Sequence, residues 1–225
     1  MRREIGISRK VGGDPLKGLA SAAPALTGRP LGEGEIEQFR RYLALLQRWN
    51  RTHHLTGLGS PEAIVRGLFL DSLLFLDQLP RRRPLTLLDV GAGAGIPGVP
   101  LRIADPNISL TLIESRRKAI SFLLALGREL GLSDVRIIEG RAEAVVTQTP
   151  ELFGYFDAVV CRAVGQLDTM AETGSRCLRP GGVLIASGPP PGNDPGDLPP
   201  GFQIVTVPFP ALSLSRVFLV WTRSA

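Results

Sequence analysis

A chain of 225 residues suits one α/β domain with a sizeable core, and 44% hydrophobic with 21% charged residues is ordinary for a globular protein. Lys+Arg exceed Asp+Glu by 26 to 21, and lysine occurs only at positions 10, 17 and 118. The excess charge is therefore almost all arginine. Its planar fork matches phosphate and stacks on bases, so the balance tilts toward a nucleic-acid partner, although an Ala-, Gly- and Pro-rich genome gives the same bias.

No apolar run reaches the roughly 18 residues a membrane span requires. The opening "MRREIGISRK" lacks the apolar core of a signal peptide. Cys161 and Cys177 form no C-x-x-C and no cluster with His53 or His54, which speaks against a disulfide scaffold and a metal site. The expectation is a cytoplasmic protein with two buried free thiols, no metal and no membrane partner.

In chain order, residues 1–32 lack periodicity and are expected to be a flexible lead. Residues 33–84 are expected to be a helical subdomain of two helices. The first carries Ile36, Phe39, Leu43, Leu46 and Trp49 at helical spacing, and the second opens at Ser60-Pro61, an N-cap with proline behind it. From 85 to 225 the chain alternates. "LTLLDV" (85–90) is a buried strand, followed by a glycine-rich turn and a brief helix. "SLTLIE" is the second strand, after which Ser115 caps a helix that ends at Gly131. "VRIIEG" and "FDAVVCRA" are strands three and four, and "RPGGVLIAS" is a turn and the fifth. Such alternation implies parallel strands with right-handed crossovers. After a proline-rich surface loop, "FQIVTV" and "RVFLVWT" follow without a helix between them and are expected to pair antiparallel.

The turn "LLDVGAGAGIPG" satisfies two cofactor patterns. Gly93, Gly95 and Gly98 fit the G-x-G-x-x-G of dinucleotide binders, while Asp89, Gly91, Gly93 and Gly95 fit the acidic-x-G-x-G-x-G loop of S-adenosylmethionine enzymes. Either cofactor would use Glu114 as acceptor for its ribose hydroxyls. Asp89 is an asset beside the ammonium of a methionine and a liability beside pyrophosphate. Pro97 and Pro100 crowd the start of the following helix, and an antiparallel hairpin closes the sheet, so S-adenosylmethionine is the better reading. A small NAD(P)-linked oxidoreductase is the alternative.

The order of "YLALLQRWN…HLT", "LDSL", "LDVGAGAGIPGVPL", "RRKAISFL", "RAE" and "CRAV" resembles the ribosomal small-subunit methyltransferases RsmG, also called glucose-inhibited division protein B, over about residues 35–223. The resemblance implies a class I S-adenosylmethionine-dependent methyltransferase fold, Rossmann-like, with a seven-stranded, mostly parallel sheet and an antiparallel last strand, preceded by two helices. It also implies N7 methylation of a guanine in 16S ribosomal RNA of the small ribosomal subunit. By position, the methyl donor would be held by Gly91, Ile96, Glu114, Ala142, Glu143 and Arg162. Arg116, Arg117, Lys118 and Arg141 would face RNA. His54, Leu68, Ala119 and Ser187 depart from the residues the family tends to have there (asparagine, histidine, a basic residue and lysine), all on the side expected to face RNA. These departures keep a non-catalytic RNA-binding protein of the same fold in view.

No catalytic residue is assigned, because guanine N7 carries a lone pair and no proton, so its methylation needs alignment and water exclusion rather than a base. The target guanine must lie in a single-stranded loop or be turned out of its stack. Among the remaining candidates, the Arg81–Arg83 run reads as a solvated linker, Asp71-Ser72 as packing or capping, and Arg141 or Arg162 as a possible partner of Glu143.

Overall fold

The computed structural model describes residues 13–132, 134–162, 167–210 and 214–224. The strands are β1 (Leu85–Val90), β2 (Ile108–Glu114), β3 (Arg136–Glu139), β4 (Phe156–Cys161), β5 (Leu178–Ser187), β6 (Gln203–Phe209) and β7 (Leu214–Thr222). They form one sheet in the order β3-β2-β1-β4-β5-β7-β6. β1 to β5 are parallel, and β7 runs antiparallel to both β5 and β6. This is the expected mostly parallel sheet with one antiparallel strand.

The helices are α1 (Lys17–Thr27), α2 (Glu33–His53), α3 (Pro61–Ile64), α4 (Asp71–Leu73), α5 (Gly98–Ala104), α6 (Arg117–Leu130), α7 (Ala142–Gln148) and α8 (Leu167–Cys177). Successive strand residues point to opposite faces, so a sheet covered on both sides needs apolar residues throughout. Leu87, Ala158, Val160 and Ile185 face one core, shared with residues of α1, α2, α5 and α6. Leu88, Val159, Leu184 and Ala186 face the other, which α7 and α8 cover. In α6 the spacing of Phe122, Leu123, Leu126 and Leu130 keeps one stripe buried, and Gly131, at φ +67°, ends the helix.

Three local expectations are corrected. The flexible lead contains α1; residues 1–12 lie outside the described residues. Leu16, Leu19, Ala22 and Ala23 are buried, and Arg29 just beyond the helix donates to the Ala104 carbonyl at 3.0 Å and pairs with Glu35. Two of those four buried positions are alanine, and Pro24 sits inside the helix, so its apolar stripe is faint in the sequence. Second, the helix begun at Ser60-Pro61 is not uniform: α3 passes into a π-helical stretch (Val65–Leu70), then α4, then a 3-10 turn (Leu74–Gln78). Third, Ser115 does not cap α6. The N-cap residue is Arg116, and the Ser115 and Arg116 amides donate to the Glu114 carboxylate, each at 2.8 Å.

The burial of α1 gives a direct test. Leu19→Ala is expected to lower the free energy of unfolding, measured in urea, by about 2–5 kcal/mol, the range for a buried leucine truncated in a packed core. A loss below about 1 kcal/mol would mean that α1 does not contribute to that core.

Candidate functional site

β1 ends at Val90, and the chain turns through the glycine-rich stretch into α5 at the carboxyl edge of the sheet. The strand order reverses there, between β1 and β4, which opens a crevice in folds of this kind. Gly91, Gly93 and Gly95 have φ of +73°, +56° and +85°, a region that favours glycine. Two carboxylates from neighbouring strands fasten the turn. Asp89 Oδ2 accepts from the Gly98 amide at 2.8 Å, and Glu114 Oε2 accepts from the Gly93 amide at 2.7 Å. Five further amides turn inward. Those of Gly91 and Ala92 donate to the Ile113 carbonyl, those of Gly95 and Ile96 to the Ala92 carbonyl, and that of Val99 to Gly95. A phosphate-binding turn aims such amides at its ligand; here these seven already have acceptors.

The glycines also differ in what surrounds them. A Cβ on Gly95 would lie 2.8 Å from Val99 Cγ2 and 3.0 Å from the Tyr42 hydroxyl, and one on Gly98 would lie 2.8 Å from Asp89 Oδ2. A Cβ on Gly91 would meet nothing within 4 Å. Gly95 and Gly98 thus serve close packing, whereas Gly91 borders open space.

Glu114 is buried, which works against its charge, but the amides of Arg116 and Gly93, the Arg116 guanidinium and the Ser115 amide outweigh burial and hold its carboxyl below the usual range. It is therefore ionised at neutral pH. Oε1 already accepts two amides, whereas Oε2 accepts one and retains capacity for a hydroxyl. Asp89 differs. It has no exposed surface, and its Oδ1 has no hydrogen-bond partner among the described residues. It holds the turn from beneath and does not border the crevice, so the expected contact with a ligand ammonium is not its arrangement.

A cavity of about 430 Å³ lies over the turn, between Gly91–Ala94 and Ile96 on one side and Leu55, Thr56, Leu58 and Leu68 on the other. Arg116 and Arg162 complete its wall. Of the six residues expected to hold the donor, Gly91, Ile96 and Arg162 line this cavity, and Glu114 lies behind Gly93. Ala142 and Glu143 open α7, after the strand paired with β2, and do not line it. Of the four residues expected to face RNA, Arg116 lies on the cavity wall, while Arg117, Lys118 and Arg141 are exposed. Leu68 borders the cavity and Ala119 is buried, so neither belongs to an exposed RNA-facing surface.

Arg162, at the end of β4, is held by contacts that sequence reasoning missed. Its Nη2 donates to the Gly67 carbonyl in the π-helical stretch and lies 3.3 Å from Asp71 Oδ2. Asp71 Oδ1 also lies 3.6 Å from Nε of Arg216, whose Nη2 donates to the Ser187 hydroxyl at 2.9 Å. Arg162 therefore pairs with Asp71, and Glu143 is not its partner. A charged residue inside the apolar run "GLFLDSLLFL" was the available signal. Tyr42 was missed as well. It is fully buried and its hydroxyl donates to the Ala94 carbonyl, tying α2 to the turn. Cys161 and Cys177 are buried free thiols, pushed up by burial to about 12 and about 11, which leaves neither available as a nucleophile at neutral pH.

Burial raises the Asp89 carboxyl from 3.8 to about 7, opposed by the Gly98 amide, with Glu114 adding to the rise and Arg162 opposing it. Between those two values the native state keeps a proton that the unfolded chain has released. The Asp89 contribution to stability therefore falls as pH rises through that window and is constant above it. Urea unfolding across the window should show a smaller loss of stability with rising pH in Asp89→Asn than in the parent; identical pH profiles would contradict this assignment.

Comparison with known proteins agrees with this geometry. A family model described as rRNA small subunit methyltransferase G matches residues 35–187. Ribosomal RNA small subunit methyltransferase G of Stenotrophomonas maltophilia (strain R551-3) is 41% identical over 165 residues, covering 73% of this chain and 74% of the relative. The protein of the same name from Streptococcus pyogenes serotype M12 (strain MGAS2096) is 39% identical over 160 residues, covering 71% and 67%. Among solved structures, a SAM dependent methyltransferase from Aquifex aeolicus shares the fold, with a TM-score of 0.52 at 14% identity over 71% of this chain and 92% of that one. At these identities over most of its length, the chain belongs to the rRNA small subunit methyltransferase G family.

Proposed function

We propose that the chain moves the methyl group of S-adenosylmethionine to N7 of a guanine in 16S ribosomal RNA, acting in the cytoplasm on the small ribosomal subunit or its precursor. The observation that carries the donor reading is the engagement of the turn's amides. A pyrophosphate would find most of them taken, which disfavours a dinucleotide and the oxidoreductase alternative. A nucleoside with an amino-acid tail fits better. The open backbone at Gly91 leaves room for the tail, and Glu114 Oε2 retains an acceptor for a ribose hydroxyl. Ile96 and Arg162 would complete this pocket, and Ala142 and Glu143, at the end of the β3 to α7 connection, would border the adenine.

S-adenosylmethionine supplies an electrophilic methyl on a sulfonium. The N7 lone pair forms the new N–C bond as the C–S bond breaks, and the positive charge passes to the purine with no proton removed at N7. The chain's task is then to hold both partners in line and exclude water. Neither buried thiol is required. Arg117, Lys118 and Arg141, exposed beyond the ends of β2 and β3, would contact RNA phosphate.

Incubation with tritiated donor and small-subunit RNA from cells lacking this protein should yield labelled 7-methylguanosine, identified by mass. Donor binding without incorporation would favour the non-catalytic RNA-binding reading. Gly91→Asp, which fills the open side of the turn, should abolish binding of S-adenosylhomocysteine in calorimetry, and unchanged affinity would remove the turn from the donor site. Replacing Arg117 and Lys118 by alanine should reduce the slope of log affinity for RNA against log salt by roughly one to two. An unchanged slope would place the RNA elsewhere.

A further inference from the structure

A second cavity, also of about 430 Å³, opens over the carboxyl ends of β4 and β5. Its wall is formed by Arg162, Ser187, Leu219 and the proline-rich loop that follows β5, including Asp194 and Asp197. It is in the size range of ligand pockets. Arg162 borders both cavities, so they adjoin along one sheet edge. Gly188 lets this loop leave β5 close to β7, since a Cβ there would lie 2.7 Å from Val217 Cγ1. The loop lies beyond residues 35–187, so the family match does not describe it.

The two cavities differ in charge. Beneath their junction, one carboxylate, Asp71, serves two guanidinium groups, Arg162 and Arg216, which leaves a net positive charge. The hydrogen bond and ion pair of Arg162 both run through Nη2. On the other side of the second cavity stand two carboxylates. Asp194 Oδ1 accepts from the Gly196 amide at 2.9 Å and so shapes its own turn. Asp197 is exposed and takes no hydrogen-bond or ion-pair partner among the described residues.

We infer that the second cavity receives the acceptor base and that Asp197 reads its Watson–Crick edge, accepting from N1–H and the 2-amino group of guanine. This rests on the methyltransferase reading given above. Guanine presents two donors on that edge and acceptors N7 and O6 on another. With the donor edge against Asp197, O6 and N7 can face Arg162 and the first cavity, where the methyl group would lie. Adenine would set its N1 lone pair against the carboxylate, which the pocket disfavours.

The test compares the full chain with Asp197→Asn and Asp197→Glu. S-adenosylhomocysteine affinity, kcat/KM for methylation of small-subunit RNA, and binding of 7-methylguanosine against adenosine to the S-adenosylhomocysteine-saturated protein are measured. Asp197→Asn should leave S-adenosylhomocysteine affinity unchanged, lower kcat/KM by roughly tenfold to a hundredfold, as for loss of hydrogen bonds to a charged group, and erase the preference for 7-methylguanosine. Asp197→Glu should recover part of both. If the parent binds S-adenosylhomocysteine and methylates RNA while Asp197→Asn keeps its rate and base preference, the inference is overturned and the donor reading stands. If the parent neither binds S-adenosylhomocysteine nor methylates RNA, both fall.

Discussion

The site depends on two carboxylates that hold a turn rather than a ligand. Asp89 and Glu114 stand at the ends of adjacent parallel strands and accept the amides of Gly98 and Gly93. Burying carboxylates at these strand ends is costly without hydrogen bonds, and the backbone supplies them. Their states diverge because their donors differ in number. Glu114, with three amides and a guanidinium nearby, stays ionised, while Asp89, with one amide and no exposure, is raised to about 7. The consequence for recognition is direct: a turn most of whose amides bond its own backbone and two carboxylates is poorly suited to phosphate and leaves an acceptor available for a hydroxyl.

Arg162 is the second fixed point. It leaves β4 at the reversal of strand order and is pinned from the other side of the crevice by the π-helical stretch and Asp71. A π-helical turn breaks the regular helical bonding pattern, and such turns often accompany functional sites. Here the Gly67 carbonyl in that stretch accepts from Arg162. The helical residues before the sheet therefore cover one core and also position a side chain between two cavities.

Much of this was legible in the sequence. The alternation of strands and helices gave the sheet, since strands buried on both faces read as unbroken apolar runs such as "LTLLDV". The glycine pattern located the turn, and Glu114 was singled out as its acid; Asp89 was singled out too, but for a ligand rather than for the Gly98 amide it holds. What escaped depended on distant contacts. The stripe of α1 is half alanine and interrupted by Pro24, so nothing local announced its burial. Ser115 looks like a cap, yet the helix starts one residue later, and Glu114 accepts the Ser115 and Arg116 amides because the strand end aims its carboxylate there. The pairing of Asp71 with Arg162 and Arg216 joins residues from three parts of the chain, which spacing cannot reveal. Counting glycines likewise could not separate the two cofactors; the engagement of most of the turn's amides supports S-adenosylmethionine.

The most direct measurement of the central claim is a crystal structure of the protein with S-adenosylhomocysteine. A ribose hydroxyl is expected on Glu114 Oε2, with the amino-acid portion along the open backbone at Gly91 and the sulfur turned toward Arg162 and the second cavity. A ligand bound away from the turn, or seated with its ribose clear of Glu114, would contradict it.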